Sequence, residues 1–261
     1  VSYVEDFADN NTPGKNKEST TICQLTNENT DFYQQLEFGK VEPRWTKTTD
    51  NKNLLSWIIL PPGFDPNKKY PVIVYVYGGP HAQLITESWL SGANNFFLFL
   101  AQQGYIVWTV DSRGSANRGF EFESAIWRNC GSIEVSDQMD GVNYLKSLPY
   151  VDAERIGVDG WSYGGFMTIS LKLKNPGVFK TATAGGPVID WKWYEIMYGE
   201  RYMSSPEDNK EGYEKSSLLN YADQLEGKLL VIHGAQDPTV VMQHSLEFIN
   251  KCIKAGKQVD Y

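Results

Sequence analysis

Up to about residue 36 the chain is polar, apart from two short β-prone runs at residues 3–7 and 20–25. Between them lies Asp9-Asn10-Asn11-Thr12-Pro13-Gly14, a cluster of residues that favour turns, so the segment predicts a β-hairpin. Two strands of that size are not stable alone in water. The hairpin is therefore expected to pack on the rest of the chain or to belong to a neighbouring β domain. From about residue 37 the pattern changes to strands alternating with helical stretches. Residues 56–60 read as a strand closed by Pro61-Pro62-Gly63. Residues 72–77 (VIVYVY) and 106–110 (IVWTV) are near-continuous β-branched and aromatic runs, the pattern of strands covered on both faces. Residues 94–102 form the predicted helix between them. Val135, Met139, Val142 and Leu145 recur with helical spacing and give one apolar stripe. Strands follow at 155–159, 181–184 and 229–233, helices at 166–174 and 243–255, and residues 258–261 look like the start of a further strand. Alternation of this kind predicts an α/β fold with a mostly parallel, twisted sheet and helices on both faces. It divides the chain into residues 1–36 and a main domain at 37–261.

Composition narrows the function. The 261 residues carry 24 Lys+Arg against 32 Asp+Glu, a net charge of −8, which argues against a nucleic-acid binder. The longest apolar run, Phe96 to Ala101, falls far short of the roughly 20 residues of a membrane span. Cys23, Cys130 and Cys252 are odd in number and irregularly spaced. They suggest free, buried or partly buried thiols rather than a disulfide framework or a zinc site. The first residues, Val1-Ser2-Tyr3-Val4-Glu5, carry neither an initiator Met nor a signal-peptide pattern, as expected of a processed or excised fragment.

The chemistry concentrates at Gly160-Trp161-Ser162-Tyr163-Gly164. This is a G-x-S-x-G nucleophile elbow, and it sits after a predicted strand and before a predicted helix, as its mechanics require. Ser162 is the candidate nucleophile; a plain glycine-rich turn is the alternative. In α/β-hydrolases the triad follows in the order Ser, Asp or Glu, His. Asp237 turns out of the 229–233 strand and is the candidate acid, with a turn or cap carboxylate as the other reading. The three histidines fit the base poorly. His81 precedes the nucleophile, His233 lies in or at the end of the strand that delivers Asp237, and His244 reads as a solvated or capping residue on the next helix. A histidine on a loop past Tyr261 is the expectation. Tyr77-Gly78-Gly79-Pro80 follows a central strand and suits an oxyanion loop, although a strand-ending turn explains it too.

Taken with Tyr75-Val76-Tyr77-Gly78-Gly79-Pro80, Asp111-Ser112-Arg113-Gly114, Tyr198-Gly199-Glu200-Arg201-Tyr202 and His233-Gly234-Ala235-Gln236-Asp237, the elbow resembles the prolyl oligopeptidase family, in its dipeptidyl peptidase IV and bacterial prolyl tripeptidyl peptidase branch. The resemblance covers about residues 40–261. It implies an α/β-hydrolase domain capped by a β-propeller, with residues 1–36 as the propeller's exit, and cleavage of proline-containing peptides after Pro, near the N-terminus, with no cofactor or metal. It implies Ser162 and Asp237 in the triad, an oxyanion hole of the Tyr77 hydroxyl and the Tyr163 backbone N–H, and a proline pocket of Tyr163, Val188, Trp191, Tyr194, Tyr198 and Val240. Read without the resemblance, Trp191, Tyr194 and Tyr198 are one helical face, which core packing explains as well. Thr239 stands where the dipeptidyl relatives carry Asn, while Gly79-Pro80-His81-Ala82-Gln83 and Gly185-Gly186-Pro187-Val188-Ile189-Asp190-Trp191 look nearer to the tripeptidyl branch. The resemblance also implies export to the periplasm or cell surface and allows a homodimer. Rival readings are an esterase or lipase on the same fold and a non-catalytic binding module.

Overall fold

The computed structural model describes residues 38–261 and two short strands before them, β1 (Tyr3–Glu5) and β2 (Thr21–Gln24). The chain separates into two units, Val1–Glu37 and Phe38–Tyr261. In the first, β1 and β2 pair antiparallel, Tyr3 opposite Gln24 and Val4 opposite Cys23. The turn expected at residues 9–14 lies outside the described residues.

The second unit is built on a seven-stranded sheet of order β3-β4-β6-β5-β7-β8-β9. Its strands are β3 (Lys40–Lys47), β4 (Asn53–Leu60), β5 (Tyr70–Tyr75), β6 (Ile106–Asp111), β7 (Val151–Trp161), β8 (Thr181–Gly185) and β9 (Lys228–Ile232). The β3–β4 and β4–β6 pairs are antiparallel and the rest parallel. Asp260 then forms a parallel bridge with Leu230, where a further strand was expected. The sequence reading passed over β3. Its polar residues and central Pro43 suit an edge strand, which keeps one side free of ladder bonds.

The apolar runs divide cleanly between the two faces because side chains alternate along a strand. Ile58, Ile106, Trp108, Val72 and Val74 enter the larger core, while Trp57, Ile59 and Val107 enter a second core with Phe97, Leu98 and Ala101. The last three belong to α1 (Asn95–Gln102), whose first turn is capped by the Asn94 side chain accepting the Phe97 N–H at 3.1 Å. After the single turn α2 (Phe120–Glu123), the other face carries α3 (Ile133–Ser147) and α4 (Tyr163–Lys174). Every residue of α4 from Tyr163 to Leu173 is buried, as expected of a helix lodged between a sheet and its neighbours. The predicted stripe on α3 is present, but the same helix also buries Glu134, Asp137 and Gln138. Shorter helices α5 (Ile196–Met203) and α6 (Lys210–Ser216) lead to β9, and α7 (Gln243–Lys254) follows it. Among the described residues no helix is long and apolar enough to cross a membrane.

In this order β5 lies between β6 and β7, so the chain runs to one side after β5 and returns to the other for β7. Such a reversal opens a crevice at the carboxyl ends of the two strands. Tyr75 is level with Asp159 across the pair, so the loop beginning at Val76 and the turn at Ser162 leave the sheet side by side.

Candidate active site

Ser162 closes β7 and opens α4 with φ 60° and ψ −115°, a conformation that non-glycine residues rarely adopt. Its N–H donates to the Gly185 carbonyl at 2.8 Å and its carbonyl accepts from Phe166 at 3.0 Å, so the turn is held from both sides. Glycine is required beside it. A Cβ on Gly160 would lie 2.4 Å from the carbonyl oxygens of Val76 and Gly164, and one on Gly164 would lie 2.3 Å from Val76 O. This close passage of the β5 loop past the elbow brings Tyr77 to Ser162. Burial pushes the Tyr77 phenol above its usual pKa, and the nearby Ser162 side chain opposes that rise. Tyr77 therefore holds its proton at neutral pH and is available as a donor.

The Asp111–Gly114 segment shapes that loop. Asp111 accepts the N–H groups of Leu84 and Ile85 at 2.9 and 3.1 Å, and Gly114 O accepts from His81 N–H at 2.8 Å. Arg113 is clamped between Asp137 and Asp50, with Nη2 and Nη1 at 2.5 and 2.6 Å. The motif is thus a brace for the loop.

The aromatic residues come together, though by a different route from the one helical face. Trp191–Trp193 is a 3₁₀ turn, Tyr194 is extended, and α5 begins only at Ile196. The break lets Trp191 stack on Tyr198 at 5.7 Å and 10° while Tyr194 meets both rings edge-on, at 5.4 and 5.1 Å. Tyr163 packs on Trp191 at 5.3 Å and lies 6.2 Å from Tyr77. Tyr163, Val188, Trp191 and Val240 are buried, and Tyr194 and Tyr198 half-buried. Flat apolar walls of this kind suit a flat apolar ring.

Asp237 Oδ1 accepts from the N–H groups of Thr239 and Val240 at 2.9 and 3.0 Å, and Oδ2 lies 3.6 Å from where a Cβ on Gly186 would be. Its charge is felt by Tyr194, whose pKa it helps raise, after burial. The carboxylate thus reaches the carboxyl edge of the sheet near the aromatic cluster. Thr239 is exposed.

Each histidine has other partners. His81 faces Glu123, Nδ1 to Oε2 3.0 Å, with its ring near Tyr202. His233 lies just past β9 and spends both nitrogens on the acid loop. Nε2–H donates to Val240 O at 2.7 Å, Nδ1 meets Ser245 Oγ at 2.6 Å, and the Asp237 carboxylate is 3.9 Å away. His244 corrects the expectation of a solvated residue: it is fully buried, and Nδ1 accepts the Ile189 N–H at 2.9 Å. Burial lowers its pKa from 6.5 to about 4, against the pull of the Trp193 carbonyl and Asp190. It pins α7 to the segment that carries Trp191. Cys130 and Cys252 are buried free thiols, and among the described residues no cluster of His, Cys, Asp and Glu has the makings of a metal site.

Residues 92–261 match the prolyl oligopeptidase family. The chain belongs to that family. A putative dipeptidyl aminopeptidase IV from Bacteroides ovatus shares 53% identity and superimposes with a TM-score of 0.86, over 87% of this chain and 32% of that one. Dipeptidyl peptidase 4 from Porphyromonas gingivalis shares 37%, with a TM-score of 0.82, over 85% of this chain and 31% of that one. By sequence, dipeptidyl peptidase 8 of Homo sapiens is 36% identical over 219 residues, 82% of this chain and 24% of that protein. A probable dipeptidyl peptidase 4 of Aspergillus flavus is 40% identical over 202 residues, 76% of this chain and 26% of its own length. The chain thus spans about a quarter to a third of the length of these relatives, and the fold they share with it is that of an α/β-hydrolase domain.

One residue of this site went unnoticed in the sequence. Glu134 is fully buried beneath the elbow and accepts the Tyr163 hydroxyl at 2.6 Å. An acidic residue in the first turn of a helix is an ordinary sequence feature, and nothing local distinguishes this one.

Proposed function

We propose that the chain is the hydrolase domain of a proline-specific serine exopeptidase that releases short N-terminal peptides by cleavage after Pro through an acyl-enzyme. The observation that carries this reading is the meeting of Ser162, strained on its elbow, with the Tyr77 hydroxyl on one side and the Tyr163–Trp191–Tyr194–Tyr198 cluster on the other. With proline seated against those rings, the scissile carbonyl faces Ser162. Attack by Oγ on the carbonyl carbon places negative charge on the carbonyl oxygen, which the Tyr77 hydroxyl and the Tyr163 backbone N–H stabilise. The base takes the Oγ proton during attack and gives it to the amine as the C–N bond breaks; it then takes a proton from water, which attacks the acyl-enzyme, releases the acid and returns the proton to Ser162.

Asp237 serves as the acid that orients the base. Since His81, His233 and His244 are engaged elsewhere, the base is a histidine outside residues 1–261. Residues 1–36 belong to the exit of a β-propeller, whose residues hold the substrate's free amino group. The names of the relatives, all dipeptidyl peptidases, weight the register toward dipeptides, against the tripeptidyl leaning of the phrases at 79–83 and 185–191.

The test is a comparison of Xaa-Pro and Xaa-Xaa-Pro chromogenic peptides, with alanine analogues, on the full-length protein and its Ser162→Ala variant. Turnover of the Xaa-Pro substrate, abolished by the substitution, is expected. Equal rates on proline and alanine substrates would remove the specificity, and efficient hydrolysis of simple acyl esters alone would put an esterase in its place.

A further inference from the structure

Tyr163 has two tasks in the proposed site. Its ring walls the proline pocket, and its backbone N–H faces the oxyanion. Both depend on where one residue sits at the first position of α4. Its far end is not free: the hydroxyl donates to Glu134 Oε1 at 2.6 Å. Glu134 is itself fixed by the N–H groups of Gly131, to Oε1 at 2.9 Å, and Ser132, to Oε2 at 3.1 Å. The same short loop is tied to the other end of α4, where Lys174 Nζ donates to Gly131 O at 2.9 Å. Gly131 has φ +79°, and a Cβ there would run into the Phe166 ring at 2.4 Å, so the loop lies hard against the nucleophile's helix.

We propose that Glu134 is a positioning residue for catalysis. Through the Tyr163 hydroxyl it sets the one residue that shapes both the pocket wall and an oxyanion donor, and it couples the entry of α3 to the nucleophile elbow. A carboxyl in full burial is costly unless well bonded, and here a phenol and two backbone N–H groups converge on it. The groups facing it are Tyr163 and Lys174 from α4 and Cys130 from the preceding loop. None of them has a part in the Ser162, Asp237 and Tyr77 chemistry, apart from the Tyr163 backbone. The arrangement is therefore a support, acting through a hydrogen bond to a side chain whose main chain does the work.

This inference rests on the reading of Ser162 and Tyr163 given above, and the experiment separates the two. In the full-length protein, Tyr163→Phe deletes only the hydroxyl, keeps the ring, and is expected to fold. Glu134→Ala deletes the acceptor, Glu134→Gln keeps one acceptor oxygen, and the double variant combines Tyr163→Phe with Glu134→Ala. Two readouts are taken: kcat and KM on an Xaa-Pro chromogenic peptide, and the rate of Ser162 labelling by a fluorophosphonate, which requires the elbow and oxyanion donors but no proline. The expected result is a fall of roughly 10- to 100-fold in kcat for Tyr163→Phe with a smaller change in KM, and a parallel fall in labelling. Glu134→Gln should lie between Tyr163→Phe and wild type, and the double variant should be no worse than the poorer single one. A Tyr163→Phe protein that labels at the wild-type rate would overturn the proposal, as would losses that simply multiply in the double variant. A wild type that labels but shows no preference for proline sinks the specificity reading alone. A wild type that does not label sinks both.

Discussion

At the scale of single residues, two side chains carry most of what distinguishes the proposed site from a generic hydrolase. Tyr77 reaches Ser162 because Gly160 and Gly164 allow the β5 loop to pass within carbonyl distance of the elbow. Replacing it with Phe removes one donor and little else, so kcat in the full-length protein should fall by roughly 10²–10³ with KM little changed. An unchanged kcat would move the oxyanion hole elsewhere. On the proposed reading Tyr194 is a wall of the pocket, standing edge-on to both Trp191 and Tyr198. Tyr194→Ala should cost about 1–3 kcal/mol of selectivity for proline over alanine at the cleavage site, read as the ratio of kcat/KM values. A ratio that stays at its wild-type value would show that the ring lines no pocket. The elbow at Ser162 and the loop carrying Tyr77 were legible in the sequence because their backbone geometry is written in the neighbouring glycines. Glu134 and His244 were not. Both matter through partners far along the chain, Tyr163 and Ile189, and a polar residue on an amphipathic helix gives no local sign that it is turned inward.

At the scale of elements, the strands of the central sheet were the most legible, since runs such as residues 106–110 are buried on both faces and admit no other placement. The edge strand β3 was missed because it need not be apolar. Trp191, Tyr194 and Tyr198 were read as one helical face and prove to lie on a 3₁₀ turn, an extended residue and a helix. Only Tyr198 of the three lies on an α-helix, yet the three rings still meet one another. The tie between α7 and this segment has a measurable signature in His244. Its pKa is lowered to about 4 in the folded protein against 6.5 unfolded. The unfolded chain therefore takes up a proton first as pH falls, and stability is lost between pH 6.5 and 4. The loss approaches about 3 kcal/mol at the acid end. Glu134 works the other way in part of this window, since burial raises its pKa to about 7 and it favours the folded state as pH falls from 7 toward 4.5. The comparison should therefore be between wild type and His244→Gln, which cannot titrate. The wild type's advantage in urea unfolding at pH 8 should shrink steadily to pH 4, and a constant gap would show that His244 takes up its proton at the same pH in the folded and unfolded chain.

At the scale of the molecule, the parallel strands bring Tyr77, Ser162 and Asp237 to one edge of the sheet from three separate loops, while His81, His233 and His244 each have other partners. On the proposed reading, residues 1–261 made alone hold a nucleophile without its base. Loss of a triad histidine costs on the order of 10⁶ in kcat, so this stretch should turn over a proline chromogenic peptide far more slowly than the full-length protein. Turnover within tenfold of the parent, abolished by His233→Ala or His244→Ala, would assign the base to one of them after all.

The backbone at Ser162 also sets a limit on how robust this protein can become. A serine held at φ 60° and ψ −115° costs about 1–3 kcal/mol, whereas glycine occupies such a conformation freely at an entropic cost of about 0.5–1 kcal/mol. Selection for thermal endurance without selection for activity should therefore converge on Ser162→Gly. That variant should melt a few degrees higher than wild type, and Ser162→Ala, which keeps the Cβ and the strain, should not. An inactive reference enzyme made with alanine and one made with glycine will thus differ in shelf life, although both lack the same hydroxyl.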